Sequence, residues 1–235
     1  MDMLRGAQIA EAGLTEWRKL AQGLHARYLT DDFATGVRFV AAVGEAGDEI
    51  GHHPRATIGP GHVDLELVTA DAIYRDDEGN EHVVEWVTQQ DVDLARRVTA
   101  IAAEHRLHAD PASVSEVELG LVAAASATVA PVWAALLTGD AASRGRGSPS
   151  DEVRDATARV PNLWFDDLAD DAHAGQRFHV EVYVAPEVAR QRVAAAVAAG
   201  GTVVDDTNAP GLTVLADQEG NRGVVCADTS AVQPD

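Results

Sequence analysis

Cysteine is nearly missing from this chain: Cys226 is the only one in 235 residues. An intrachain disulfide is excluded, and nothing in the composition points to an oxidising compartment. Long apolar runs are missing as well. None approaches the roughly 18 residues of a spanning helix, and the N-terminus lacks the basic-then-apolar order of a secretion signal. A cytoplasmic location is the expectation. Lysine is represented by Lys19 alone, so arginine carries almost all the positive charge. That charge is outnumbered, 18 Lys and Arg against 38 Asp and Glu, for a formal net charge of -20. Such a chain repels phosphate backbones and anionic bilayers, and Arg144-Gly145-Arg146 is too short a basic stretch to reverse this. The expected partners include neither nucleic acid nor membrane.

What the chain does have is apolar bulk. Hydrophobic residues make up 46% of it, enough for one large domain or for two of about 100 residues each. One short stretch concentrates chemistry: Asp48-Glu49-Ile50-Gly51-His52-His53-Pro54. Histidine titrates near neutrality, so an imidazole pair beside carboxylates suits proton transfer. A pair of solvent-facing polar residues is the alternative reading.

Periodicity sets the surroundings of this stretch. Leu14, Trp17, Leu20, Ala21 and Leu24 recur at helical spacing, with Thr15 as N-cap. His25 to Leu29 reads as a short strand. A second helical pattern runs from Phe33 through Val37, Val40 and Ala41 to Asp48; Gly51 ends it and Pro54 forbids its continuation. Gly59-Pro60-Gly61 is a turn. Val63, Leu65 and Leu67 then alternate with polar neighbours as a half-buried strand, and His82 to Val87 returns as its partner after the turn Asp76 to Asn80. Thr88-Gln89-Gln90-Asp91 is a capping box with an acid at its fourth position, opening a helix that carries Leu94, Val98, Ile101 and Ala102 on one face. The pattern predicts an α+β fold, an antiparallel sheet covered by helices on one face.

Residues of about 14 to 106 resemble pterin-4-alpha-carbinolamine dehydratase. The resemblance is carried by Trp17, the Phe33 to Asp48 helix, His52-His53-Pro54, the strand ending in Val68-Thr69, and Trp86-Val87-Thr88-Gln89-Gln90-Asp91. It implies catalytic roles for four residues: His52 as the acid that protonates the leaving hydroxyl, His53 as the residue holding the pterin, Asp48 as the assisting acid working with His52, and Asp91 near the pocket. Capping alone would also account for Asp91, and an exposed helix end for Asp48. The chain departs from the family where Ala70 replaces a third His and Pro60 replaces an aromatic residue. The connection to Trp86 is also longer and contains His82, which has no assigned place.

His108 to Ser113 reads as a linker, giving domains at 1–109 and 113–235. Beyond it, Val117, Leu119 and Leu121 alternate as a strand. Val129, Val132, Trp133, Leu136 and Leu137 form a helical stripe, with Pro131 in the first turn and Gly139 at the end. Residues 140 to 160 are polar and rich in Gly, Ser and Arg, and Asn162 to Phe165 is a short strand. The plan then repeats. Phe178, Val180, Val182 and Val184 alternate, Pro186 opens a helix closed by Gly200-Gly201, and three short strands follow at 202–204, 212–215 and 224–226.

This half resembles the glyoxalase and bleomycin-resistance (vicinal oxygen chelate) family. The resemblance lies in Val132 to Leu137, Pro161 to Phe165, Arg177 to Val182 and Leu215-Ala216-Asp217-Gln218-Glu219-Gly220-Asn221. It implies a domain of paired βαβββ modules, with Glu118, Trp164 and His179 lining a small-molecule pocket. Metal-dependent members place ligands at the positions of Glu118, His179 and Val224; valine cannot ligate, so no metal is expected. Together the two resemblances imply a pterin-like small molecule as substrate or ligand, no cofactor, and a homo-oligomer, most simply a dimer.

Overall fold

A computed structural model describes residues 1–143, 152–154, 160–167, 177–218 and 220–230. Most of the Gly, Ser and Arg-rich tract, Arg144-Gly145-Arg146 included, lies outside the described residues, as does Glu219. The chain divides into two compact units. The first holds Met1–Tyr74, Glu85–Ser115 and the described residues from Asp228 onward; the second holds Arg75–Val84 and Glu116–Ala227.

The N-terminal stretch opens with a short helix α1 (Gly6–Glu11), followed by β1 (Arg18–Leu20), β2 (Gly23–Leu29), α2 (Phe33–Ile50), β3 (Arg55–Gly59), β4 (His62–Leu67), β5 (Thr69–Arg75), β6 (Glu81–Trp86), α3 (Gln89–Glu104) and β7 (His108–Ala109); all of it belongs to the first unit except residues 75–84 of the β5–β6 hairpin. The main sheet has the order β1-β2-β4-β3, with β7 also on β2, and every pairing in it is antiparallel. Alternation decides its faces. Leu24, Ala26 and Tyr28 stand opposite Leu67, Leu65 and Val63. All six are buried and share one core cluster with Phe39 and Val43 of α2 and Leu94 and Val98 of α3. The other face carries His25, Arg27, Asp64 and Glu66. The expected α+β arrangement, helices on one face of an antiparallel sheet, is what the structure shows.

Helix α2 has clear end signals. The Asp32 carboxylate accepts from the Thr35 amide at 2.7 Å, and Gly51 closes the last turn with φ 67°.

Three expectations for this unit are corrected. Leu14 to Leu24 is not a helix: Trp17, Leu20 and Leu24 are buried through a tight hairpin, in which Leu20 pairs with Gly23 and Ala21 turns the chain at φ 44°. Inward positions on either side of so short a turn mimic helical spacing. The strand at 82–87 does not pair with β4. It pairs with β5, which begins at Thr69 and forms a separate two-stranded ribbon with β6; this ribbon is the longer connection noted above. The linker reading of His108-Ala109 gives way to β7, which pairs with the end of β2.

The second unit runs β8 (Ser115–Ala123), α4 (Ser126–Thr138), β9 (Leu163–Asp167), β10 (Phe178–Val184), a 3-10 turn, α5 (Ala189–Ala198), β11 (Thr202–Asp205), β12 (Leu212–Ala216) and β13 (Arg222–Cys226). Its sheet has the order β11-β12-β13-β10-β8-β9. The repeat is visible in the pairing. Strand β10 is parallel to β13, which is antiparallel to β12; likewise β8 is parallel to β9, and Val153 makes an antiparallel bridge to Leu163 of β9. The second module is the expected βαβββ. The described part of the first holds β8, α4, the Val153 bridge and β9.

Helix α4 differs from its expected form in two ways. It starts at Ser126, so Pro131 lies inside it rather than in the first turn. Its contact line runs through Ala130 and Ala134, both fully buried, with Val129, Trp133 and Leu137 packed beside them. Val132 and Leu136, assigned to the same stripe, are 66% and 70% exposed. Small side chains on the line of contact let a helix approach a sheet closely, which draws that line away from the bulkier residues.

Candidate functional site

Three chain segments converge in the first unit: the loop after α2, the start of β5 and the N-terminus of α3. The His52 Nε2 lies 2.7 Å from Asp91 Oδ1, with side chains 13% and 0% exposed. The other oxygen, Asp91 Oδ2, accepts from the Thr88 backbone N–H at 2.7 Å, the Thr69 hydroxyl at 2.7 Å and the Thr88 hydroxyl at 3.1 Å. The two threonine hydroxyls are 2.8 Å apart. Asp91 is thus the capping residue of α3 through one oxygen, and through the other it meets the His52 imidazole. The helix N-terminus favours its negative charge.

The second pair is of another kind. His53 Nε2 is 2.9 Å from Asp48 Oδ1, with side chains 50% and 80% exposed. The expectation that Asp48 works with His52 is thus corrected: Asp48 pairs with His53, and His52 turns inward to Asp91. Gly47 makes room for this. A Cβ there would come within 2.6 Å of His53 Cδ2 and 2.8 Å of the His52 carbonyl oxygen, so only glycine lets the loop fold back on the last turn of α2.

Other residues singled out in the sequence lie elsewhere. His82 is 3.1 Å from Asp76 in the ribbon turn. Ala70 and Pro60 are exposed. The Trp86 indole N–H donates to the Leu4 carbonyl, and the Lys19 ammonium sits 4.0 Å from its ring centroid. Thr69 and Thr88 were not expected as site residues. The capping box gave a signal for Thr88; Thr69 was marked only by the resemblance, because its hydrogen bond to Asp91 depends on a strand that leaves one sheet for another.

In the second unit the sheet packs one face under the helices, with Leu119, Leu121, Leu163 and Phe165 in one cluster and Val182, Val184 and Val225 in another. Alternation then places Glu118, Gly120, Trp164, His179, Glu181, Tyr183, Val224 and Cys226 on the opposite face, as the register of β9, β8, β10 and β13 requires. This face is largely polar, yet Glu118 is 4% exposed. The ring of His179 lies over Gly120, where a Cβ would meet it at 2.2 Å, and stands edge-on to Trp164 at 5.2 Å between centroids. The Tyr183 hydroxyl donates to Glu181 at 2.8 Å, and Asn162 donates to Glu118 at 3.3 Å. The three expected lining residues, Glu118, Trp164 and His179, thus share a face, joined by Glu181, Tyr183 and Cys226.

Burial, reinforced by the carboxylates of Glu118 and Glu181, pushes the Tyr183 phenol far above its ordinary range. Burial followed by Glu181 and Glu118 pushes the Cys226 thiol up to about 12. At pH 8 the folded protein therefore holds almost no thiolate. Disulfide-reagent labelling of Cys226 is expected to run about a thousandfold slower in the folded than in the urea-unfolded protein; equal rates would show that the thiol is neither buried nor electrostatically shifted.

The donor set does not fit a metal of the glyoxalase type. Val224 stands opposite Glu181 on β13 and offers no ligand atom, and no group of three or more His, Cys, Asp or Glu among the described residues is arranged to hold an ion. No helix among the described residues is long and apolar enough to cross a membrane.

Comparison with known proteins follows the same division. Residues 3–101 match the family model "Pterin 4 alpha carbinolamine dehydratase", and residues 117–226 match "Glyoxalase-like domain". A Halobacterium salinarum protein bearing the name pterin-4-alpha-carbinolamine dehydratase is 28% identical over 96 residues, 41% of this chain and 92% of its own length. A Natronomonas pharaonis protein bearing the same name is 35% identical over 72 residues, 31% of this chain and 65% of its own. A crystal structure titled transcriptional coactivator/pterin dehydratase, from Brucella melitensis, is 26% identical; it covers 43% of this chain and 99% of its own, with a TM-score of 0.35. The N-terminal half of this chain resembles pterin-4-alpha-carbinolamine dehydratase, and the C-terminal half resembles the glyoxalase-like family.

Proposed function

We propose that the first unit dehydrates a 4a-hydroxytetrahydropterin, with His52 as the proton-transferring residue. The observation that carries this reading is the 2.7 Å contact between His52 and the fully buried Asp91 carboxylate, an imidazole fixed by an acid and still partly open to a ligand. A carbinolamine carries a hydroxyl and an N–H on adjoining atoms. His52 gives a proton to the hydroxyl oxygen, the C–O bond breaks and water leaves. The nitrogen lone pair closes the C=N bond, and the nitrogen's proton returns to base, restoring the acid. His53, half-exposed and paired with Asp48, follows His52 directly in the same loop. The second unit binds a small molecule on the polar face that carries Glu118, Trp164 and His179, without a metal. This reading takes the domains as 1–109 and 113–235, and the protein as a homodimer, the assembly the two resemblances suggest, in the cytoplasm, the setting its composition suggests.

A second reading, sequestration of a pterin without turnover, is favoured by one observation: Ala70 stands where the family places a third imidazole. One experiment separates them. 4a-Hydroxytetrahydropterin is generated in situ, and its dehydration is followed with the native protein and with His52→Ala. Acceleration by the native protein, lost by about 100-fold or more in the variant, is the expected result. Equal rates for both proteins, or no acceleration over buffer, would leave sequestration as the reading.

A further inference from the structure

We infer that Thr69 and Thr88 are positioning residues that fix the tautomer of His52 and make Nδ1 its working atom; the catalytic part of this inference rests on the dehydratase reading. The argument starts at Asp91 Oδ2. A backbone N–H can only donate, so Oδ2 meets the Thr88 amide as an acceptor. The Thr69 hydroxyl, at 2.7 Å, and the Thr88 hydroxyl, at 3.1 Å, reach the same oxygen. With Oδ2 occupied, the remaining oxygen, Oδ1, faces His52 Nε2 at 2.7 Å. A carboxylate only accepts, so Nε2 carries the hydrogen. The neutral ring then has its lone pair on Nδ1, which makes no hydrogen bond to any described residue. Protons enter and leave the imidazole there.

Two separate segments of the chain hold this arrangement. Thr88 is the N-cap of α3, and Thr69 opens β5. Neither hydroxyl contacts His52. Both act through the carboxylate, whose orientation they set by filling one of its oxygens. A threonine at 69 thus matters for the donor it supplies rather than for its bulk.

The test uses the full chain labelled with 15N, at a pH where neutral imidazole dominates. Signals of His52 are identified by their loss in His52→Gln. The expected result is a ring in the Nε2–H form. Thr69→Val keeps the shape of the side chain and removes the donor. It is expected to mix the two tautomers of His52, shift the pH profile of dehydration, and lower kcat by about tenfold with KM within about twofold, as loss of a supporting hydrogen bond behind a working histidine does. Thr69→Ser should restore all of these. An Nδ1–H form of His52 in the native protein would overturn the inference, and so would a Thr69→Val protein with unchanged tautomer and pH profile. If Thr69→Val fails to fold, the tautomer of the native protein decides alone. If the protein does not accelerate dehydration at all, the dehydratase reading falls, and the resonance measurement still decides which nitrogen Asp91 holds.

Discussion

Replacing Asp91 with alanine is expected to lower the unfolding free energy by about 3–5 kcal/mol, a large share of what holds a domain of this size together. The side chain is fully buried, and every polar atom on it is engaged. Its removal strands the Thr88 amide and the inward nitrogen of His52, and leaves the Thr69 hydroxyl only its Thr88 neighbour at 2.8 Å. Each buried donor left without a partner costs about 1–3 kcal/mol, although entering water recovers part of that. The N-cap interaction of α3 goes at the same time, at about 1 kcal/mol. Asp91→Asn should lose less, because its amide oxygen still accepts on one side while its NH2 group faces donors on the other. Urea unfolding of the three proteins checks this. A loss below about 1 kcal/mol for the alanine variant would mean that the network does not stabilise the fold.

The second large effect lies in the core between α2 and the sheet. Phe39→Ala is expected to cost about 3–5 kcal/mol, the range for truncating a buried aromatic ring. Phe39 is fully buried on α2, in a buried stripe with Gly36, Val43, Ala46 and Gly47. Its ring meets Tyr28 of β2 edge-on at 5.1 Å between centroids and His105 beyond α3 at 6.0 Å. It therefore joins the sheet to both covering helices. The void left behind cannot be filled by its neighbours without moving the strand that carries Tyr28. A chemical-denaturation midpoint close to that of the native protein would show that the site collapses around the smaller side chain. The change should also loosen the end of α2, from which His52 and His53 depart, so any dehydration rate should fall with it.

These two residues show what the sequence makes legible. Helix α2 could be read because its stripe is long and its end is punctuated by Gly51 and Pro54. Asp91 could be placed because a capping box is a local pattern. Its second role was out of reach: the partner His52 is 39 residues away, and the Thr69 that completes the network sits on a strand hidden by the wrong pairing of β6. Leu14 to Leu24 misled for the opposite reason. Its apolar residues are truly buried, but two very short strands around a left-handed alanine leave the same spacing as a helix. In β10 the alternation reads as the structure has it, with Val182 and Val184 packed under the helices. Phe178 and Val180 are partly exposed, while His179, Glu181 and Tyr183 are drawn to the sheet face that carries Glu118. Periodicity shows that a strand has two faces. Which of them a polar pocket occupies depends on neighbouring strands.

One bond in this network can also serve as a clock. The Thr88 amide hydrogen is buried and given to Asp91, so it exchanges with solvent deuterium only when the start of α3 lets go of the carboxylate. That same opening frees the imidazole of His52 to turn. The exchange rate of a single backbone hydrogen therefore counts how often the His52 imidazole is released, with no substrate present and no reaction to follow. A ligand that settles against His52 should slow that count in proportion to its occupancy, which makes Thr88 a reporter for whatever the site accepts.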